Sequence, residues 1–157
     1  MKKSIVLLSL VLTVMCVLSG CGSSAQPAKS IDVHAVMDSI TSQVQMPEET
    51  MSLSSNDDLM DYLGVDGSLA KDFAFVRDAN YVGTELVIIE ANDESSAQQI
   101  SEQLNTRIAE DIETYQSYNA DYAYLLQNSK VNINGVYVSV FIADNADEII
   151  NIYNSNF

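Results

Sequence analysis

The segment Thr84–Ala91 (TELVIIEA) constrains the fold most, because it is an uninterrupted apolar run of strand length. Such a run is typical of a strand in the middle of a sheet. It is followed directly by Asn92–Tyr118, where apolar side chains recur every three or four residues, as on one face of a helix. The sequence therefore predicts a β-sheet with a long amphipathic helix packed on it.

Comparable patterns predict the remaining elements. Further strands are expected at Phe73–Arg77 and in the two arms of a hairpin at Lys130–Ala143. In this hairpin Asn134-Gly135 is the pair preferred for a two-residue type I′ turn. Helical spacing marks four more segments, with Ser30 and Ser55 as N-caps of the first two: Ile31–Val44, Ser55–Leu63, Ala120–Asn128 and Asp144–Tyr153.

These elements predict an α+β fold with a four-stranded antiparallel sheet, helices packed on one face, and N-terminal helices preceding it. Gly83–Ile100 and Gly135–Ile152 share an order of glycine, aliphatic strand, Asp/Asn pair and amphipathic helix. The sheet could therefore consist of two duplicated ββα units. Convergence on a common strand-to-helix pattern is the favoured explanation of the likeness.

The N-terminus carries the features of an export signal. Lys2 and Lys3 precede the apolar run Ile5–Leu18, which is shorter than the roughly 20 residues that span a bilayer. Leu18-Ser19-Gly20-Cys21 then resembles the lipobox of bacterial lipoproteins. The predicted organisation is a signal peptide over residues 1–20, a lipidated Cys21 and flexible tether over 21–30, and one α+β domain over 31–157.

The net charge of the chain limits the classes of partner that it can bind. Because Lys2 and Lys3 lie in the signal, its removal changes the net charge from −15 to −17. Such a surface repels phosphate backbones, so we expect no nucleic-acid binding. The expected partners are the membrane, through lipid on Cys21, and an envelope protein or small ligand. The charge also permits a second hypothesis, a cation-responsive protein that binds calcium.

The sequence offers few groups for catalysis. His34 is the only histidine, and no thiol remains if Cys21 is lipidated, so neither a triad nor a zinc site is expected. The acidic groups at Asp57, Asp58 and Asp61 fit a helix start better than a calcium loop, as do Asp144, Asp147 and Glu148. We predict no enzyme activity, metal or cofactor, and keep a carboxylate-based cell-wall hydrolase as a less favoured alternative.

Two groups of side chains stand out. Glu85 begins the apolar strand, so we predict that it forms an ion pair with Arg107 on the following helix. Tyr115, Tyr118 and Tyr122 would share one face if that helix continued, with Tyr124 and Tyr137 nearby. Tyrosine is favoured at interfaces. The three rings are therefore the candidate partner-binding residues, although they could simply cover the edge of the core.

The mature chain resembles a family of small Firmicutes lipoproteins of unknown function. The resemblance extends from Ile31 to Ile152 and rests on the order of four segments: Glu85–Ile89, Leu104–Arg107, Tyr115–Tyr124 and Asn134–Val138. It implies an exported, lipid-anchored α+β domain and transfers no catalytic residue. The resulting expectation is a non-catalytic binding or accessory module of the cell envelope, on the extracytoplasmic face of the membrane.

Overall fold

The computed structural model describes residues 29–80 and 83–157. The predicted signal, Cys21 and most of the tether lie outside them. The α-helices are α1 (Val33–Gln43), α2 (Asn56–Leu63), α3 (Glu94–Tyr115), α4 (Ala120–Asn128) and α5 (Ala146–Asn154). The strands are β1 (Thr50–Met51), β2 (Ala70–Asp78), β3 (Glu85–Ala91), β4 (Asn132–Asn134) and β5 (Tyr137–Ile142). Among these residues no helix has the length and hydropathy needed to cross a membrane.

The sheet is antiparallel throughout, in the order β1-β2-β3-β5-β4, with β3 at its centre. The α+β class and the central position of β3 are confirmed. The predicted count of four strands is wrong, because β1 adds a fifth at one edge. β1 has only two residues, Thr50 and Met51, and neither is fully buried. A segment this short shows no alternation of side chains, so the sequence pattern could not reveal it.

Helices cover both faces of the sheet. On one face, α2, α3 and α4 pack over a core that includes Val87 and Ile89. On the other, α1 and α5 pack over Leu86 and Ile88. The prediction of helices on one face is therefore wrong. The reason lies in β3, whose residues from Leu86 to Ile89 are completely buried, so both of its sides require cover.

The proposed ββα units occur in the right order, but they do not match in space. The first is β2-β3-α3 and the second β4-β5-α5, and β3 pairs with β5 in antiparallel orientation. Their helices lie on opposite faces of the sheet. The two units therefore have opposite hand and cannot be superposed by rotation. This favours convergence over duplication.

Local signals fix most element ends. Ser55 and Asp58 form a capping box at the start of α2, and Gly64, at φ 65°, ends it. Asp93 caps α3, whereas Asp32 caps α1 in place of the predicted Ser30. The hairpin turn is shifted by one residue, because Asn134 pairs with Tyr137 and leaves Gly135 and Val136 as the loop.

Candidate functional site

A buried group of charges lies where β3 begins. Glu85 is 1% exposed, and both of its carboxylate oxygens accept hydrogen bonds from Arg107 on α3, one at 3.1 Å from Nη2. Arg77, the register partner of Glu85 on β2, places Nη1 3.5 Å from the same carboxylate. The predicted pair of Glu85 with Arg107 is confirmed. It ties the long helix to the sheet.

The two arginines extend this group outward. Arg107 Nε lies 2.8 Å from Asp111, one helical turn further along α3, and the Arg77 guanidinium lies 5.8 Å from the centre of the Tyr62 ring. Burial opposes the charged form of Arg107, but the charge and hydrogen bonds of Glu85, and then Asp111, outweigh it. The pKa of Arg107 is therefore raised above its ordinary value. Arg107 stays charged at any physiological pH.

A cavity of about 450 Å³ opens above these charges. This volume is typical of sites for small molecules or single side chains. It lies between the C-terminal half of α2 and the second half of α3, with one residue from α4. Its walls combine aromatic rings with groups of both charges: Met60, Asp61, Tyr62, Gly64, Arg77, Arg107, Asp111, Tyr115 and Tyr122.

Two of the candidate tyrosines, Tyr115 and Tyr122, line this cavity, and Tyr118 packs on Tyr115, although the three do not share one helix face. α3 ends at Tyr115 and α4 begins at Ala120, so the chain turns between them. The Tyr115 ring centre lies 5.1 Å from that of Tyr118 and 4.8 Å from that of Tyr122, edge to face. The structure therefore brings the predicted residues together by a turn and not by helical spacing.

Their exposures differ sharply. Tyr118 is 67% exposed and Tyr122 is 5% exposed, so the first lies on the surface and the second forms part of the wall. Burial, and then the nearby charge of Glu85, raises the pKa of Tyr122, which keeps its hydroxyl protonated. Tyr124 is 65% exposed. Tyr137 belongs to the opposite core, where its hydroxyl accepts from the Ile31 backbone N–H at 3.1 Å.

A second cavity of about 450 Å³ adjoins the first and shares Gly64 and Arg107 with it. Its other lining residues follow the solvent side of α3: Gln99, Glu102, Gln103, Thr106 and Glu110. Gly64 lies at the junction, and an added Cβ there would come within 3.9 Å of Arg107. Its positive φ favours glycine, which also leaves the junction without a side chain.

The other candidate groups lie elsewhere. His34 is exposed on α1 and lies 3.1 Å from Asp72, under the opposite face of the sheet. Asp58 belongs to the α2 capping box, and Asp147 and Glu148 occupy the first turn of α5. Within residues 29–80 and 83–157, no group of three or more histidine, cysteine or acidic side chains has a metal-binding arrangement.

The first cavity and the entry of the chain lie at opposite ends of the sheet. Arg77 pairs with Glu85, and Glu85 with Ile142, at one end. Glu90 pairs with Tyr137 at the other, where Ile31 contacts Tyr137 just before α1. From Glu85 to Glu90, β3 spans about 17 Å at the usual rise of a strand.

These features define a class: an antiparallel α+β domain, covered by helices on both faces, with a tyrosine- and arginine-lined cavity at one end of the sheet. The chain belongs to the family described as Domain of unknown function (DUF4358), whose model matches residues 29–143. The match covers all the strands and ends before α5. No curated protein and no solved structure matches the chain.

Proposed function

We propose that the protein is a lipid-anchored, extracytoplasmic binding module of the cell envelope. The signal-like N-terminus and the lipobox-like Leu18-Ser19-Gly20-Cys21 support export and anchoring. Dual acylation gives stable attachment to a bilayer, whereas a single chain gives marginal attachment. The tether to Ser30 is short, so the domain would stay close to the membrane.

The observation that carries the proposal is the tyrosine-lined cavity at the sheet end opposite the chain entry. If lipid on Cys21 holds the entry end towards the membrane, the cavity faces away from the bilayer. Met60, which lines the cavity, and Tyr118, which packs on its wall, are among the few exposed large apolar side chains of the described residues. Exposed aromatic residues around a concave site are typical of binding surfaces.

A binding role fits the chemistry of the cavity better than catalysis. Glu85 is engaged by two arginines and Asp111 by one, so neither carboxylate is poised to exchange a proton with a substrate. Glycoside hydrolysis needs one carboxyl group held protonated near a second. His34 lies under the opposite face and cannot act as a base at this site.

The lipid anchor can be tested by substituting each of the two cysteines, Cys16 within the predicted signal and Cys21 directly after it. We expect native protein from membranes to carry acyl mass on Cys21 and to lack residues 1–20. Cys21→Ser should leave the precursor unprocessed and without lipid. Cys16→Ser is the matched control, because that residue lies inside the signal and should change neither processing nor lipidation. Intact-mass spectrometry after membrane extraction measures both, and an unmodified Cys21 in the native protein would refute the anchor.

The binding surface can be tested by removing one exposed ring. Tyr118→Ala should weaken capture of envelope partners by about tenfold or more, the size of effect seen when a central interface tyrosine is truncated. Tyr124→Ala is the matched control: it is exposed to almost the same extent, 65% against 67%, and makes no ring contact with Tyr115. Quantitative cross-linking in intact cells measures both variants, and equal recovery from the two would rule out the cavity as the binding surface.

A further inference from the structure

The two cavities adjoin along α3, and we refer to them together as the α3 groove. They meet at Gly64 and Arg107, and their lining residues on α3 run from Gln99 to Tyr115. At the rise of an α-helix this stretch is about 24 Å long. A groove of this length matches an extended polypeptide of about seven residues. A compact small molecule would occupy only part of it.

The charge of this α3 groove disfavours anionic ligands. Its lining carries four carboxylates, on Asp61, Glu102, Glu110 and Asp111, against the guanidinium groups of Arg77 and Arg107. Glu85 lies behind both arginines and adds a fifth negative charge. The groove is therefore net negative in a domain of strongly negative charge, which disfavours an anionic ligand and attracts a cationic one.

The aromatic end of the groove suits the shape of basic side chains. Tyr62, Tyr115 and Tyr122 line it, with Met60 and the exposed Tyr118 beside them. Lysine and arginine have long apolar stems that pack on such rings and charged ends that remain near solvent. The carboxylate of Asp61 lines the same end and can pair with those charges.

We propose that the α3 groove binds an extended, lysine- or arginine-bearing segment of an envelope protein. The inference rests on the proposed binding function and assigns its partner a chemistry. The segment lies along α3 from Gln99 to Tyr115, with basic side chains directed to Glu102, Glu110 and the tyrosine-lined end. Complementary charge also speeds the encounter, so binding weakens steeply as salt is added.

The test uses the full-length protein in detergent and fluorescent heptapeptides of alternating alanine with either lysine or glutamate. We expect the lysine peptide to bind at least about tenfold more tightly than the glutamate peptide. Glu102→Gln with Glu110→Gln should weaken lysine-peptide binding by about tenfold. The matched control, Asp38→Asn with Glu48→Gln, removes two exposed carboxylates that do not line the groove and should change binding less than about twofold.

Several outcomes would overturn the inference. Equal weakening by the two double variants would mean that the peptide responds only to total charge. Groove-dependent binding of a neutral N-acetylglucosamine tetrasaccharide, without binding of the lysine peptide, would identify a glycan site instead. If no probe binds but Tyr118→Ala still loses its cellular partner, the basic ligand is refuted and the binding function remains. If no probe binds and Tyr118→Ala also keeps its cellular partner, both the basic ligand and the proposed binding function are refuted.

Discussion

Ile88→Ala should lower the free energy of unfolding by about 3 kcal/mol or more, within the range found for large-to-small changes in protein cores. Ile88 lies in the central strand and is completely buried against the core formed with α1 and α5. Its truncation removes apolar contacts and leaves a cavity that rigid neighbours fill only in part. Urea denaturation followed by circular dichroism measures the loss.

The control for this experiment is Ile133→Ala, the same change at the sheet edge. Ile133 is 37% exposed on the three-residue strand β4, so its truncation should cost less than about 1 kcal/mol. The comparison tests the two-sided architecture itself. If helices covered only the face occupied by Val87 and Ile89, Ile88 would point to solvent and its truncation would cost little. Similar losses for the two variants would contradict the fold.

Local periodicity predicted the elements because each pattern is contained within its own segment. The predicted α3 exceeds the observed helix by two or three residues at each end, and the predicted α5 begins two residues early and ends one residue early. β2 is four residues longer than predicted. Periodicity shows that a helix has an apolar side, but not which face of a sheet that side covers. α1 and α5 come from opposite ends of the described chain and meet under the same face. Such a choice depends on contacts distant in sequence.

One signal for two-sided cover was nevertheless present. A strand with one wet face alternates apolar and polar residues, whereas Leu86–Ile89 is apolar without interruption. Because this run lacks the alternation expected of a half-exposed strand, it argues for helices on both sides of the sheet. The predicted central position of β3 was therefore inconsistent with a sheet covered on one face only.

The ion pair of the site was predictable because it joins a strand to the helix that follows it in sequence. A carboxylate in an apolar strand needs a partner, and Arg107 was the basic residue available on the next helix. Arg77 was missed, although a short connection between β2 and β3 places it opposite Glu85 in register. The tyrosine cluster was predicted for the wrong reason. Asn119 caps α4 by accepting from the Tyr122 N–H at 3.1 Å, and this turn returns Tyr122 to Tyr115.

Glu85→Gln should be among the most destabilising single changes, because it removes a buried carboxylate that pairs with both Arg77 and Arg107. The side chains of Arg77 and Arg107 are 10% and 14% exposed, and that of Glu85 is 2% exposed. Removing one partner of a buried ion pair typically costs about 3–5 kcal/mol, since the remaining charge stays desolvated without compensation. The amide retains the shape of the carboxylate, so the loss reports charge and not a cavity.

Glu90→Gln provides the control, with the same substitution on the same strand. Glu90 pairs with Lys71 at 2.6 Å, but the lysine side chain is 62% exposed, so solvent screens the pair. Surface pairs of this kind contribute about 0–1 kcal/mol. We therefore expect the two variants to differ by about 2 kcal/mol or more in urea unfolding. Near-ultraviolet circular dichroism should show altered tyrosine packing only in Glu85→Gln, because Tyr115 and Tyr122 line the cavity above it. Equal stability of the two variants would mean that the buried charges do not hold α3 to the sheet, and the cavity would lose the rigid floor on which the proposed binding role depends.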